Sequence, residues 1–302
     1  MDRKTLKTMK LYEFPESAAA RAPAVSIEDR SIGRILVDMG KLREKDLAKV
    51  FAFHRRKGLR FGEAARKLRL VDDTDVQYAL SIQFNYPYLK RGQGILGPEL
   101  VTAHDPFHPQ AEGLRELRTQ LLMQWADEKH KVLAIVSNAP QDGRSYLAAN
   151  LAVAFAQLGE RTLLIDADLR RPRQNLIFGM NGALGLAQIL SGRGGLAAAE
   201  RIPYFESLAV LTAGTTPPNP LELLSRQEFP RLLVEARQTN AIVLIDTPAN
   251  TRGADAKVIS ARADGVLMMA REDRTRAADL EQLKRAVAAA GVPAVGAVLN
   301  RF

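Results

Sequence analysis

The sequence predicts an α/β fold, a parallel sheet with helices on both faces, preceded by a small all-α domain. Two observations carry this. Short continuous apolar runs at 132–137, 162–165 and 241–245 alternate with segments of helical spacing as far as residue 299. Strands of a parallel sheet read this way because both of their faces are buried. Residues 30–89 repeat themselves at an offset of 29, with helical spacing in each copy.

Length and composition bound the reading. At 302 residues there is room for one large domain and one small one. The 46% apolar and 25% charged residues are those of a globular protein. Without cysteine, disulfides and cysteine-ligated metal centres are excluded, and the composition suits a reducing cytoplasm. No apolar run approaches ~20 residues, so no bilayer span is expected. The charged start MDRKTLKTMKLYEF does not read as a signal peptide. The expected location is cytoplasmic. The net charge of +9 favours phosphates, anionic headgroups or acidic partners, and equally fits an arginine-rich composition with no binding role. Aromatics are too sparse for a single-strand platform, so nucleic acid is not an expected partner.

The elements follow in order. Residues 1–28 are polar, with Arg3, Lys4, Lys7 and Lys10, and are expected to be a flexible tail. Residues 29–90 form the helical repeat domain. Its first copy carries Ile32, Gly33, Leu36, Gly40, Leu47, Phe51 and His54; its second carries Phe61, Gly62, Ala65, Arg69, Val76, Leu80 and Gln83. Each copy reads as a short helix, a turn and a longer helix, the longer ones starting near Asp46 and Thr74. Residues 91–110, with Gly, Pro, His104 and His108 and no periodicity, read as a linker. The final domain, 111–302, opens with a helix whose stripe is Leu114, Leu117, Leu121, Leu122 and Trp125. Glu112, Arg115 and Arg118 recur every third residue on a neighbouring face, which by itself is an ordinary solvated pattern.

The stretch 132–168 organises the chain. A strand at 132–137 leads into a turn-forming loop, then into residues 145–158, where Leu147, Leu151, Val153, Phe155 and Leu158 keep helical spacing. A second strand follows and ends on Asp166. This is the layout of a phosphate-binding P-loop, the loop of P-loop NTPases, whose amides and helix dipole attract phosphate. Pro140, Gln141, Asp142, Gly143, Arg144, Ser145 and Tyr146 are the expected nucleotide-binding residues. Gly143 allows close backbone approach, Arg144 is the cation for the outer phosphates, and Ser145 is the hydroxyl for Mg²⁺. Asn138 and Arg144 depart from G-x-x-x-x-G-K-[ST], and a ligand-free strand–turn–helix connection is the competing reading. The run 241–245, ending in Asp246-Thr247-Pro248, weighs against it. A carboxylate on a neighbouring strand tip stands where such sheets bind ligands, and it can hold a water of the Mg²⁺ shell. Beyond it, strands near 208–212, 265–270 and 294–299 alternate with helices from 221, 229–237, 253–263 and 275–290.

These residues carry two resemblances. The repeat domain resembles the N-terminal domain of type II secretion and pilus-assembly ATPases. In some members of that family tandem copies bind cyclic di-GMP, which here would fall to Arg30, Gly33, Arg60, Gly62 and Gln83. Ser31 and His54 depart from the pattern, and a docking module without ligand is the favoured expectation. Residues 105–302 resemble the bacterial tyrosine kinases of exopolysaccharide assembly, relatives of the MinD and ParA ATPases. The matching stretches are the loop at 137–150, LLIDADLRRP at 163–172, AGTTPPNPLELL at 213–224, VLIDTP at 243–248, ADGVLMMAREDRT at 263–275 and GAVLN at 296–300.

The kinase resemblance implies roles. ATP and Mg²⁺ are the cofactors; Asp166, Asp168 and Arg144 are catalytic; Ser145, Asp166 and Asp246 serve the metal. Glu112, Arg115 and Arg118 match an E-x-x-R-x-x-R signature through which subunits join into rings. It implies a homo-oligomer working with a membrane-embedded chain-length determinant, here a separate protein. The C-terminal tyrosine cluster of the family has no counterpart, since no tyrosine follows Tyr204. A MinD- or ParA-type ATPase switch is the alternative function. So is an ATP-bound scaffold whose N-terminal module senses a cyclic dinucleotide.

Overall fold

The computed structural model describes residues 31–84, 86–89, 94–105 and 107–301. The tail expected at 1–28, and Arg30 with it, lies outside the described residues.

Helices α1 (Ile32–Asp38), α2 (Glu44–Lys57), α3 (Phe61–Lys67) and α4 (Asp73–Gln83) reproduce the short–long, short–long pattern. The long helices begin a residue or two early, at Glu44 and Asp73, and at α4 a cap sets the start. At α4, Asp72 accepts from the Asp75 amide at 2.7 Å while the Asp75 carboxylate accepts from the Asp72 amide. The repeat is visible in the packing. Gly33 lies under Phe61 and Leu47, and Gly62 lies under Ile32 and Val76. Phe61 and Ile32 are equivalent positions, as are Leu47 and Val76, so the two copies embrace reciprocally. A Cβ on Gly62 would stand 2.6 Å from Val76 Cγ1. Close helix approach therefore accounts for both glycines without a ligand.

Residues 96–104, expected to be linker, are part of the α/β core. Leu96, Leu100 and Ala103 are buried there, Leu100 capping and Ala103 lying within the short helix α5 (Val101–His104). Asn150 fixes the segment: its Oδ1 accepts from the Thr102 amide and hydroxyl at 3.0 Å, and its Nδ2 donates to Glu99 O at 2.9 Å. The three apolar anchors are scattered among Gly, Pro and His, so no period announces them.

After α6 (Pro109–Gln124), whose first turn is capped by His108, comes a seven-stranded sheet. The chain runs β1 (Val132–Ser137), α7 (Arg144–Gln157), β2 (Thr162–Asp166), α8 (Gln174–Ile177), α9 (Leu186–Leu190), β3 (Glu200–Ile202) and β4 (Phe205–Leu211). It continues through α10 (Pro220–Ser225), α11 (Glu228–Thr239), β5 (Ile242–Asp246), α12 (Asp255–Ser260), β6 (Gly265–Arg271), α13 (Ala277–Ala289) and β7 (Ala294–Asn300). The strand order is β3-β4-β2-β5-β1-β6-β7. Every pairing is parallel except β3–β4, an antiparallel edge too short and too polar to be read from sequence.

Side-chain alternation divides the core into two layers. Val132, Ala134 and Val136 of β1 face one layer with α11, α12 and α13; Leu133 and Ile135 face the other with α7. Helix α7 is buried almost all round, covered by α5 and α6, and its many alanines let it lie close to the sheet. This burial fixes the start of α7 at the C-terminal tips of β1, β2 and β5.

Candidate active site

The loop between β1 and α7 turns twice through left-handed backbone, at Gln141 (φ 64°) and at Gly143 (φ 104°), which caps α7. Asp142 holds the loop from within, its Oδ2 accepting from the Ala139 amide at 2.9 Å. The tips of β6 and β7 brace it from one side. Arg271 donates to Gln141 O at 3.3 Å, and Asn300 Nδ2 donates to Asp142 O at 3.0 Å.

Asp166 and Asp246 stand on the other side, as register partners at the tips of β2 and β5. Both are fully buried. Asp166 accepts three backbone bonds, from Asp168 at 3.2 Å, Arg173 at 3.0 Å and Gln174 at 2.9 Å, which wrap the following loop around it. Asp168 repeats the device on Arg170 and Arg171. Asp246 interacts with the Ser145 hydroxyl and accepts from Gln174 Nε2 at 2.8 Å. Burial pushes the Asp246 carboxyl up to about 6, against these bonds. Burial, then the neighbouring Asp246 charge, holds Asp166 well above the usual carboxylate range.

Arg144 differs from expectation. Its guanidinium is buried and bound to the chain itself: it donates to Thr247 O at 2.8 Å, to Ala139 O at 2.8 Å and to the Ser137 hydroxyl. A buried guanidinium needs such acceptors, and here the ends of β1 and β5 supply them. Arg144 therefore ties the loop to the strand tips. Tyr146, in the first turn of α7, donates to Gln110 Oε1 at 3.3 Å. Pro140 lies in the loop beside the Arg144-bound Ala139.

Several site residues carried no signal in the sequence. Gln174 bridges Asp246 and Ser145 O. Arg170 forks onto the buried Asp255 at the start of α12, joining the loop after β2 to the element after β5. Arg271 and Asn300 lay in the family-like stretches 263–275 and 296–300, but spacing gave them no role.

Glu112 and Arg115 of α6 form an ion pair, and Arg115 also donates to the Tyr86 hydroxyl at 3.4 Å. Arg118 donates to Ala154 O at 3.0 Å. In the single chain both arginines are thus turned toward α7 and the Tyr86 segment. In the helical module, Arg60 caps α3 from an exposed position and Gln83 ends α4, while Gly33 and Gly62 are buried. Among the described residues no helix is long and apolar enough to cross a membrane.

With this geometry in place, known proteins give the family. The tyrosine-protein kinase YwqD of Bacillus subtilis is 34% identical over 201 residues, covering 67% of this chain and 85% of that one. The chain belongs to the bacterial tyrosine-protein kinases. The Salmonella typhimurium kinase wzc is 31% identical over 202 residues, of which this chain spans 28% of the length. The solved kinase domain of Escherichia coli tyrosine kinase ETK superposes with TM-score 0.65 at 29% identity, over 72% of this chain and 86% of that one. MinD of Pyrococcus furiosus, at 24% identity and TM-score 0.51, shares the fold. No protein-family model matches the chain.

Proposed function

We propose that this kinase binds Mg-ATP at the Gly143 loop and transfers phosphate to tyrosine, regulating exopolysaccharide assembly from the inner-membrane surface. It would dock on a separate membrane-embedded chain-length determinant and self-associate through Glu112, Arg115 and Arg118. The observation that supports this best is the pair Asp166–Asp246, side by side beside Ser145 at the start of α7.

The residues fit a divalent cation. Asp246 Oδ1 and Gln174 Oε1 are buried acceptors with no partner, on side chains bonded to each other, and the buried Asp166 stands beside Asp246 on the next strand. Among the described residues no group of three or more His, Asp or Glu is placed to hold a metal. Mg²⁺ does not require one, because it keeps waters and takes one or two carboxylates plus phosphate oxygens. When bound it supplies charge neutralisation at the phosphates.

The chain's own residues would do the rest. Amides of the loop and of the first turn of α7 hold the phosphates. Ser145 and Asp246 are the hydroxyl and carboxylate for the cation. Asp166, saturated by backbone donors, shapes the loop that carries Asp168. Asp168, less enclosed, takes the proton of the attacking tyrosine hydroxyl.

Phosphotransfer from labelled ATP to a Glu–Tyr copolymer tests the reading. Labelled phosphotyrosine with wild type and none with Asp168→Asn is the expected result. Nucleotide binding without transfer would leave the second reading, a MinD-type switch or scaffold. The engagement of Arg144 with Thr247, Ala139 and Ser137 favours that reading, since a cation so held cannot also follow the γ-phosphate.

A further inference from the structure

Gln174 joins three parts of the site. It opens α8, on the loop that follows β2, and is fully buried. Its backbone N–H donates to Asp166 Oδ2 at 2.9 Å. Its side-chain Nε2 donates to Asp246 Oδ2 at 2.8 Å and to Ser145 O at 3.2 Å, which uses both amide protons. Its Oε1 is buried and unpartnered, and so is Asp246 Oδ1.

A side chain used only for packing would not leave an acceptor unsatisfied beside a carboxylate in the same condition. The pattern is selective. Oδ2 of Asp246 takes the Gln174 amide proton, the Ser145 hydroxyl also interacts with this carboxylate, and Oδ1 has no hydrogen-bond partner. Gln174 Oε1 and Asp246 Oδ1 are both buried acceptors without a partner, on two side chains that are bonded to each other. Donors are what they need, and the waters around a hydrated divalent cation are donors.

Resting on the Mg-nucleotide reading above, we propose that Gln174 is a positioning residue for the cation. It pins Asp246 by Oδ2 so that Oδ1 stays available, and it offers Oε1 as a further acceptor for the cation's water shell. The residue type follows from this. Glu at 174 would set a third carboxylate against two buried ones. Asn would fall a methylene short of Asp246. An apolar side chain would leave Asp246 without its donor.

The test is a titration of a fluorescent ADP analogue into the full chain, from EDTA through millimolar Mg²⁺. Gln174→Met keeps the volume and removes both the donor and the acceptor. Affinity in EDTA should stay within about twofold of wild type, because loop amides are untouched, whereas the Mg²⁺ concentration for half-maximal tightening should rise about tenfold or more. Thermal unfolding with Mg²⁺ alone gives a second readout, with a smaller Mg²⁺-induced shift in the variant. Should Gln174→Met not fold, Gln174→Asn carries the same expectation. A Mg²⁺ midpoint equal to that of wild type would overturn the proposal alone, leaving a buried water as the partner of the two acceptors. A wild type that binds no nucleotide at any Mg²⁺ would overturn the site reading and this proposal together.

Discussion

Asp166 and Asp246 are register partners on adjacent parallel strands, so two fully buried carboxylates leave the sheet on the same side. Burial raises both above the usual carboxylate range, Asp246 to about 6. The folded state therefore binds more protons than the unfolded chain between about pH 4 and 6. The stability that Asp246 contributes is fully present below that window and is lost as pH rises through it, and Asp166, also raised, adds a loss of the same sign. Melting curves of the nucleotide-free protein should show the loss, on the order of 2 kcal/mol across the window. Asp246→Asn should flatten the dependence and raise stability at neutral pH while weakening Mg-nucleotide binding. A pH-independent wild type would contradict the arrangement.

Arg144 stabilises the loop from beneath. Arg144→Ala leaves the buried Thr247 carbonyl without its donor and Ala139 O with the Ser137 hydroxyl alone, and should cost about 2–4 kcal/mol in denaturant unfolding. Arg144→Lys should lose part of that stability too, because an ammonium cannot match the fork. Its charge, no longer held by three acceptors, is then available to phosphate. Turnover by the lysine variant should equal or exceed wild type, as a coupled ATP assay would show.

The helical module makes its own prediction. Gly62→Ala places a methyl 2.6 Å from Val76 Cγ1. Destabilisation of about 1–3 kcal/mol, confined to α1–α4, should appear in hydrogen exchange, with nucleotide binding unchanged. Adding Val76→Ala should recover most of it, a coupling between contacting sites.

A tyrosine joins this module to the kinase fold. Tyr86 Oη donates to Gln157 Oε1 at 2.8 Å, at the far end of the helix that begins at the loop. Gln157 Nε2 in turn donates to Pro87 O at 2.8 Å and Thr102 O at 2.9 Å. Tyr86→Phe should cost about 1 kcal/mol and speed amide exchange over 94–104. It also releases Arg115, so the self-association of Tyr86→Phe by sedimentation should differ from wild type. Arg118→Glu should give monomers if α6 joins subunits.

What could be read beforehand follows from burial. Strands β1, β2 and β5 were legible because strands covered on both faces are continuous apolar runs, and Asp166 and Asp246 stood out by ending them. The repeat was legible because equivalent positions keep their spacing. Gln174, Arg170 with Asp255, and the inward course of Arg144 were not legible. Each depends on which strand lies beside which, and strand order leaves no local period. Residues 96–104 were hidden because a hydrogen-bonded Asn150, rather than an apolar stripe, fixes them.

Calorimetry of ATP binding, with and without Mg²⁺, on wild type and Asp246→Asn tests the central claim most directly. The account predicts that wild type binds ATP and that Mg²⁺ tightens binding by about tenfold or more, an effect absent in Asp246→Asn. Wild type that binds no ATP, or an Asp246→Asn variant whose response to Mg²⁺ matches wild type, would contradict it.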